Sequence, residues 1–533
     1  MRSNCPCRCL YNHELLSLFT TQSPYQRYGE NVSDRQIVGF VEELADTQVD
    51  TLMCCPQAWM TPLWPSDVDP KWRDEAPGQS EPLPECDWKY FEKAYYRIRR
   101  AMLTGCDPTG LTLDAARRIG LHRFISYRMN EIHYVRFPDC PTHSRFWREH
   151  PEWRLSAART GSPLNYLVPE VRERYLAILT ELVARYDVDG LELDFMRHPT
   201  LFPPERIDQG TPILTEFVGQ VHEMLCRAAV RRGRRYWLSV RVPRSPSACL
   251  AAGMDVPCWD RAGWLDIVNV SPHFRTTPEV DISGFRECVR RALVFGEVHF
   301  NTQGGVTSTG YSNNINRRTT PLIYETTALS FRDRGADGIS FFNFAYTRDH
   351  SFGEPRRREF PGKEPPFEVL RHICDTAYLR RRPRHYILPP GFDALPVRLG
   401  SPSSKPAALR LYVGDRMEAD TAFRRGILRL EVGPRAGAAD IAVRINGTEV
   451  GRVPGQGELF RPFSMEALPP PDRLVFYDVP PVLVRHGWND IEIENRTVGE
   501  YALGAFTLER LELALYLEGD PADAVTEPPQ TGE

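Results

Sequence analysis

Residues 186–199, YDVDGLELDFMRHP, decide the fold of this chain. Leu191, Leu193 and Phe195 alternate with Glu192 and Asp194, the period of two that marks a strand. The apolar set belongs against helices, which turns both carboxylates the other way. Their Cα atoms lie about 6.6 Å apart at roughly 3.3 Å per residue. In a closed parallel barrel one set of side chains fills the interior, and the active site lies at the C-terminal strand ends.

The same alternation of strand and helix extends outward in both directions. Strand-like runs lie at 7–11, 49–55, 122–130, 189–195, 236–242, 266–274, 298–304 and 338–346. Between them run helical stripes. Ser33 and Gln36 have capping-box spacing before Ile37, Phe40, Val41 and Leu44. A helix is expected over 88–104. One opening near Pro169 carries Val171, Tyr175, Ile178, Leu179 and Leu182, and the next carries Leu214, Phe217, Val221, Met224 and Ala228. Helices over 320–334, closed by Gly335, and over 366–379 complete the series. Eight such alternations predict an α/β chain, a (β/α)8 TIM barrel with inserted loops. A doubly wound open sheet is the alternative, weakened by the lack of GxGxxG or GxxxxGK[ST] after the first strands.

The pattern changes near residue 387. The stretch 387–406 is rich in Pro, Gly and Ser and reads as a linker. Period-two runs follow at 409–413, 427–432, 441–445, 473–479, 490–494 and 508–517, with Asn446-Gly447 as a hairpin turn. The expected organisation is a barrel over 1–386, a linker over 387–406, a β-sandwich over 407–517 and a disordered acidic tail over 518–533.

Composition excludes several functions. Lys and Arg number 66 against 70 Asp and Glu, a net charge of −4 in 533 residues, so nucleic acid is not an expected partner. No run of 18 apolar residues is present to cross a membrane. An odd 13 cysteines over this length point to reduced thiols, and the CPCRC spacing is too close for an ordinary zinc pair. No apolar leader is visible, so the expected location is cytoplasmic, or periplasmic or secreted if a leader was removed. The 46 prolines indicate many shaped loops.

The barrel strands carry polar residues where Val, Ile and Leu would fill a purely structural interior. Glu192 and Asp194 repel each other in a desolvated site, which raises at least one pKa, unless Arg128 or Arg241 pairs with them. The third strand presents Ser126, Arg128 and Asn130, with Glu131 and His133 opening the loop above. The fifth gives Ser239 and Arg241, and the sixth Asn269, Ser271 and His273. The seventh gives His299, Asn301 and Gln303, and the eighth Phe341, Asn343 and Ala345 with Tyr346 at the rim. Amides, imidazoles and carboxylates together supply the donors and acceptors that sugar hydroxyls need. Trp59, Trp64 and Trp72 after strand two, and Trp147 and Trp153 after strand three, either hold sugar faces or pack under the loops. There is no GxSxG elbow and no HExxH helix. A metal site from Glu131, His133, Asp194 and His198 matches no specific spacing, and neither metal nor cofactor is expected.

DVDGLELDFMRHP, YRMNEIH and WPSDVDPKW together resemble bacterial family 10-like glycosyl hydrolases over most of residues 10–380. That resemblance implies a (β/α)8 carbohydrate enzyme with a C-terminal sandwich. Against family 18 chitinases, Met196 stands where the catalytic glutamate ends their DGxDxDxE strand. Asp194 followed by Arg197 is similar to the strand-four nucleophile of the α-galactosidase-like clan. The strand-seven glutamate of another retaining clan is not seen in HFNTQGG. The expectation is a glycoside hydrolase with Asp194 as nucleophile or general base and Glu131 or Glu192 as the second carboxyl. Arg128, Asn130, His133, Arg197, His198, Arg241, His273, Asn301, Gln303, Asn343, Tyr346 and Trp59 are the expected substrate contacts. The alternative is a catalytically silent carbohydrate-binding barrel. Either could form a homo-oligomer.

Overall fold

The computed structural model describes residues 2–20, 32–74, 89–135, 140–155, 162–307, 310–347, 365–400, 404–417, 423–434, 436–455, 471–497 and 505–518. The expected tail over 518–533 falls outside them except for Glu518. The chain divides into two compact units. One comprises Met1–His273, Val280–Glu297 and Gly335–Phe367, and the other Phe274–Glu279, Val298–Arg334 and Glu368–Glu533.

A closed parallel barrel, within the first unit apart from Val298 and His299, consists of β1 (Cys9–Glu14), β2 (Thr51–Cys55), β3 (His122–Arg128), β4 (Gly190–Asp194), β5 (Trp237–Pro243), β6 (Ile267–Ser271), β7 (Leu293–His299) and β8 (Gly338–Phe342). They pair in chain order, and β1 closes on β8. The expected helices α1 (Asp34–Glu42), α2 (Pro169–Arg185) and α3 (Ile207–Arg232) form with their apolar stripes buried. Ser33 and Gln36 make the reciprocal capping box before α1. A further helix, Pro108–Arg118, lies between β2 and β3, where no stripe was read.

The N-terminal end of the barrel is plugged by Cys5, Cys7, Leu10, Met53, Phe124, Ile267, Leu293 and Phe295. Phe124 and Trp237 stack across β4, with ring centroids 6.5 Å apart. They can do so because Gly190 leaves the space: a Cβ there would meet Phe124 Cζ and the Trp237 carbonyl at 2.6 Å. The cysteines among the described residues are free thiols.

The second unit holds a β-sandwich. One sheet orders Arg384–Leu388, Phe506–Leu517, Phe423–Val432, Leu474–Val479 and Arg452–Val453, with Val397–Leu399 also on Phe506–Leu517. The other orders Ala407–Val413, Gly487–Asn495, Ile441–Ile445 and Thr448–Val450. Leu411, Val413, Leu428, Leu430, Val443, Ile493, Leu511 and Leu513 fill the space between them. The stretch read as a linker therefore supplies strand residues Ile387, Leu388 and 397–399. Asn446 and Gly447 both take positive φ, 51° and 86°, the geometry of a two-residue hairpin turn.

The seventh strand is the main departure from the sequence reading. Only Val298 and His299 of the run at 298–304 belong to the barrel: β7 ends at His299, and Asn301–Thr307 begins a separate hairpin with Gly310–Arg318. On β8 the inward residues are Ser340 and Phe342, since Phe341 registers with Tyr11, which faces away from the inward set.

Candidate active site

Contacts that skip a strand show which side chains point into the barrel. Asn269 on β6 reaches Glu192 on β4, and Arg241 on β5 reaches Glu297 on β7. Arg128 on β3 meets Glu14 on β1. The Arg241 guanidinium also sits 3.8 Å from the centre of the Phe342 ring on β8. The alternation then places Asn12, Glu14, Ser126, Arg128, Glu192, Asp194, Ser239, Arg241, Asn269, Ser271, Glu297 and Ser340 on the inner face, and all are buried. Both carboxylates of the opening motif point inward, as the alternation required.

Two charged groupings follow. In the first, Arg241 Nη1 donates to Asp194 Oδ1 at 2.9 Å, and its Nε and Nη2 donate to the two Glu297 oxygens at 2.6 and 2.8 Å. Ser271 Oγ accepts from Arg241 at 3.0 Å and donates to Glu297 at 2.5 Å. The Met196 amide donates to the same Asp194 oxygen at 2.8 Å. Register explains the pairing, because Asp194 lies directly across from both Arg128 and Arg241. Burial works against the Arg241 cation, but Asp194 and Glu297 more than offset it and raise its pKa. With four hydrogen bonds inside the protein, Arg241 is not a free substrate contact.

One inward position deeper, Glu192 accepts from Ser126 Oγ at 2.7 Å, Ser239 Oγ at 2.9 Å and Asn269 Nδ2 at 3.3 Å. Burial and Asp194 push its carboxyl up to about 7.

The second grouping gathers loop residues above β3 and β4. Glu131 accepts from Arg128 Nη1 at 3.2 Å, from the amides of Ile132 and His133 at 2.9 and 3.0 Å, and from the His133 ring. Arg197 donates to His133 and lies 3.7 Å from Glu131, and His198 lies 4.0 Å from Glu131. Burial would raise the Glu131 carboxyl, yet His133, Arg197 and Arg128 together hold it well below the usual carboxylate range. Burial, with Arg197 adding to it, pulls His198 down to about 2, so its imidazole is neutral. The donor atoms of Glu131, His133 and His198 lie within 4.8 Å of one another, the spacing of a cation site. Asp194, the fourth residue of the metal set weighed from the sequence, is not among them. Guanidinium groups of Arg128 and Arg197 already supply positive charge to this cluster.

The remaining expected contacts scatter. Asn130 is used up by backbone: Nδ2 donates to the carbonyls of Leu164 and Thr200, and Oδ1 accepts from the amides of Glu131 and Leu164. It clamps loops together. Asn301 and Gln303 lie on the hairpin of the second unit, where Gln303 accepts from Arg510 at 3.1 Å. His273 is exposed beyond β6 with φ of 55°. Asn343 follows β8 with φ of 53°, and its Oδ1 has no partner among the described residues. The Tyr346 side chain lies outside the described residues. Trp59 is 1% exposed and packs edge-on against Tyr134, and Trp64, Trp72 and Trp147 are also buried, so these rings brace the loops. Sequence reasoning missed Glu14 and Glu297. Carrying the β1 alternation on from Leu10 and Asn12 would have reached Glu14; Glu297 was lost with the misplaced seventh strand.

No family model and no curated protein matches the sequence, so the resemblance of its motifs to the family 10-like proteins is not confirmed. Solved structures similar to it include glycoside hydrolases. The PgaB (BpsB) glycoside hydrolase domain from Bordetella bronchiseptica is 11% identical, covering 70% of this chain and 99% of that one, with a TM-score of 0.40. A family GH18 chitinase from Chromobacterium violaceum is 12% identical, covering 96% and 91%, with a TM-score of 0.36. Chitinase ChiW from Paenibacillus sp. str. FPU-7 is 12% identical at a TM-score of 0.40, and the match spans 69% of this chain and 32% of that enzyme. At these identities and scores no residue role passes from those proteins to this chain.

Proposed function

We propose that this chain is a glycoside hydrolase with Asp194 as its reactive carboxylate. The observation that carries the reading is the set of carboxylates gathered at the C-terminal ends of β1, β3 and β4. Asp194 ends β4, Glu14 ends β1, and Glu131 stands three residues past β3. Glycosidases work with two carboxyl groups about the scissile bond. Both hydrogen bonds found at the Asp194 carboxylate among the described residues fall on Oδ1, so Oδ2 is the oxygen turned to substrate. Arg241 and the Met196 amide fix its orientation. Glu131 is the second carboxyl. It is an anion in the ligand-free arrangement, so as proton donor it must first lose an arginine contact to the arriving sugar. The neutral imidazole of His198 supplies a donor and an acceptor for hydroxyl groups.

A second reading, a catalytically silent carbohydrate-binding barrel, is favoured by one observation. Glu131 is tied to arginines, while Glu192, the carboxyl that burial raises, is fully enclosed below the strand ends. Wild type and Asp194→Asn tested on a panel of oligosaccharides separate the two. Cleavage by wild type that falls at least about 10³-fold in Asp194→Asn is the expected outcome, the scale of removing a group that acts in the transition state. Binding without cleavage by both proteins supports the second reading. Neither binding nor cleavage refutes both.

A further inference from the structure

Glu192 differs from every other acid of the barrel in the company it keeps. Asp194 and Glu297 meet Arg241, Glu14 meets Arg128, and Glu131 meets Arg128 and Arg197. The hydrogen-bond partners of Glu192 are two serine hydroxyls and an amide. Taken strand by strand, the titratable or charged side chains that the alternation puts on the inner face with Glu192 are Glu14 on β1, Cys55 on β2, His122 and Arg128 on β3, Asp194 on β4, Arg241 on β5, and Glu297 and His299 on β7. The inner residues of β6 and β8 near this level, Asn269, Ser271 and Ser340, are neutral.

The charges do not balance if all the acids ionise. Among the described residues, Glu14, Glu131, Glu192, Asp194 and Glu297 would outnumber Arg128, Arg197 and Arg241 even with the His133 imidazole counted as a cation, and all of these acids are buried. A surplus of buried negative charge is strongly unfavourable, and a carboxyl in that position takes up a proton instead. Glu192 is the acid whose surroundings accept that proton without rearrangement. A serine hydroxyl donates to a carboxylate and accepts from a carboxyl simply by rotating. Asn269 can do the same by exchanging the ends of its amide, and its Oδ1 has no other partner among the described residues.

We propose that Glu192 holds its proton up to about neutral pH and acts as a positioning residue, a neutral carboxyl beneath Asp194 that leaves Arg241 to Asp194 and Glu297. Burial and the neighbouring Asp194 act in the same direction. The catalytic consequence rests on the glycosidase reading; the protonation itself does not.

The test compares the full-length wild type with Glu192→Gln, whose amide is isosteric with a protonated carboxyl. A proton held more tightly by the folded chain than by the unfolded one makes wild type lose stability as pH rises between the two pKa values. Expected is a melting temperature of Glu192→Gln that gains on wild type from about pH 4.5 to about pH 7 and then runs parallel to it. Infrared difference spectra should show a protonated-carboxyl carbonyl band in wild type at pH 6 that is absent in the variant and fades above pH 8. A melting-temperature difference that stays flat over that window, with no carbonyl band, overturns the proposal. If Glu192→Gln fails to fold, the pH dependence of the band in wild type decides alone. In a wild type that cleaves glycan, the pH–rate profile bends near pH 7, and the bend is missing in the variant. A band and a widening difference in a protein that cleaves nothing uphold the proton on Glu192 and sink the glycosidase reading.

Discussion

Replacing Arg241 by Met tests the inner charge cluster most directly. Methionine keeps the unbranched stem and removes the one cation shared by Asp194 and Glu297. Breaking a buried pair by deleting one partner costs about 3–5 kcal/mol, because a charge is left without compensation. Loss of the stacking on Phe342 adds roughly 0.5–2 kcal/mol. Some of this is recovered, since Asp194 keeps the Met196 amide and Glu297 keeps Ser271. The expected net loss is about 4 kcal/mol. It would be read as a shift in the midpoint of urea unfolding at pH 7, followed by tryptophan fluorescence with the m-value unchanged. The double variant Arg241→Met with Glu297→Gln removes one negative charge as well. It should regain more than half of the loss, because the two residues share one network. A single-variant loss below about 1 kcal/mol, against the several expected for a broken buried pair, would refute the reasoning. So would a double variant no more stable than the single one.

Two further outcomes follow from the geometry. Gly190→Ala places a methyl within 2.6 Å of both Phe124 Cζ and the Trp237 carbonyl, and should lower stability by about 1–3 kcal/mol, read as a drop in Tm. A stability equal to wild type would mean that the Phe124–Trp237 stack yields more easily than its packing suggests. His198 should show no ring titration between pH 5 and 8 by NMR, because burial and Arg197 hold its pKa near about 2; a midpoint within that range would contradict the closed cluster around Glu131.

The fourth strand was legible because its two faces differ so plainly in chemistry. Leu191 and Leu193 could only go toward helices, and that alone turned Glu192 and Asp194 inward. The seventh strand was not legible for a related reason. LVFGEVHFNTQGGVT runs from barrel strand into hairpin strand with only Phe300 between them and no turn residue to mark the change. A period of two continues across the junction, so the pattern gives no sign of where the barrel strand ends. Trp59 shows a different limit. Loop tryptophans that face solvent and those that brace a loop from below have the same sequence signature, and only packing against Tyr134 tells them apart. The partnerships of Arg241 and Glu131 depend on which strands lie opposite, information that no single segment carries.

The inward polar contacts have a bearing on how this barrel can be divided. Asp194 on β4 depends on Arg241 from β5, and Glu192 on β4 depends on Ser239 from β5 and Asn269 from β6. Each of these ties crosses the midline between the first four strands and the last four. A half-barrel cut at that line would strip Asp194 and Glu192 of these donors on one side, while Arg241 on the other would keep Glu297 and Ser271. Such halves have no self-sufficient interior, so a split or permuted form keeps its integrity only if β4, β5 and β6 travel together.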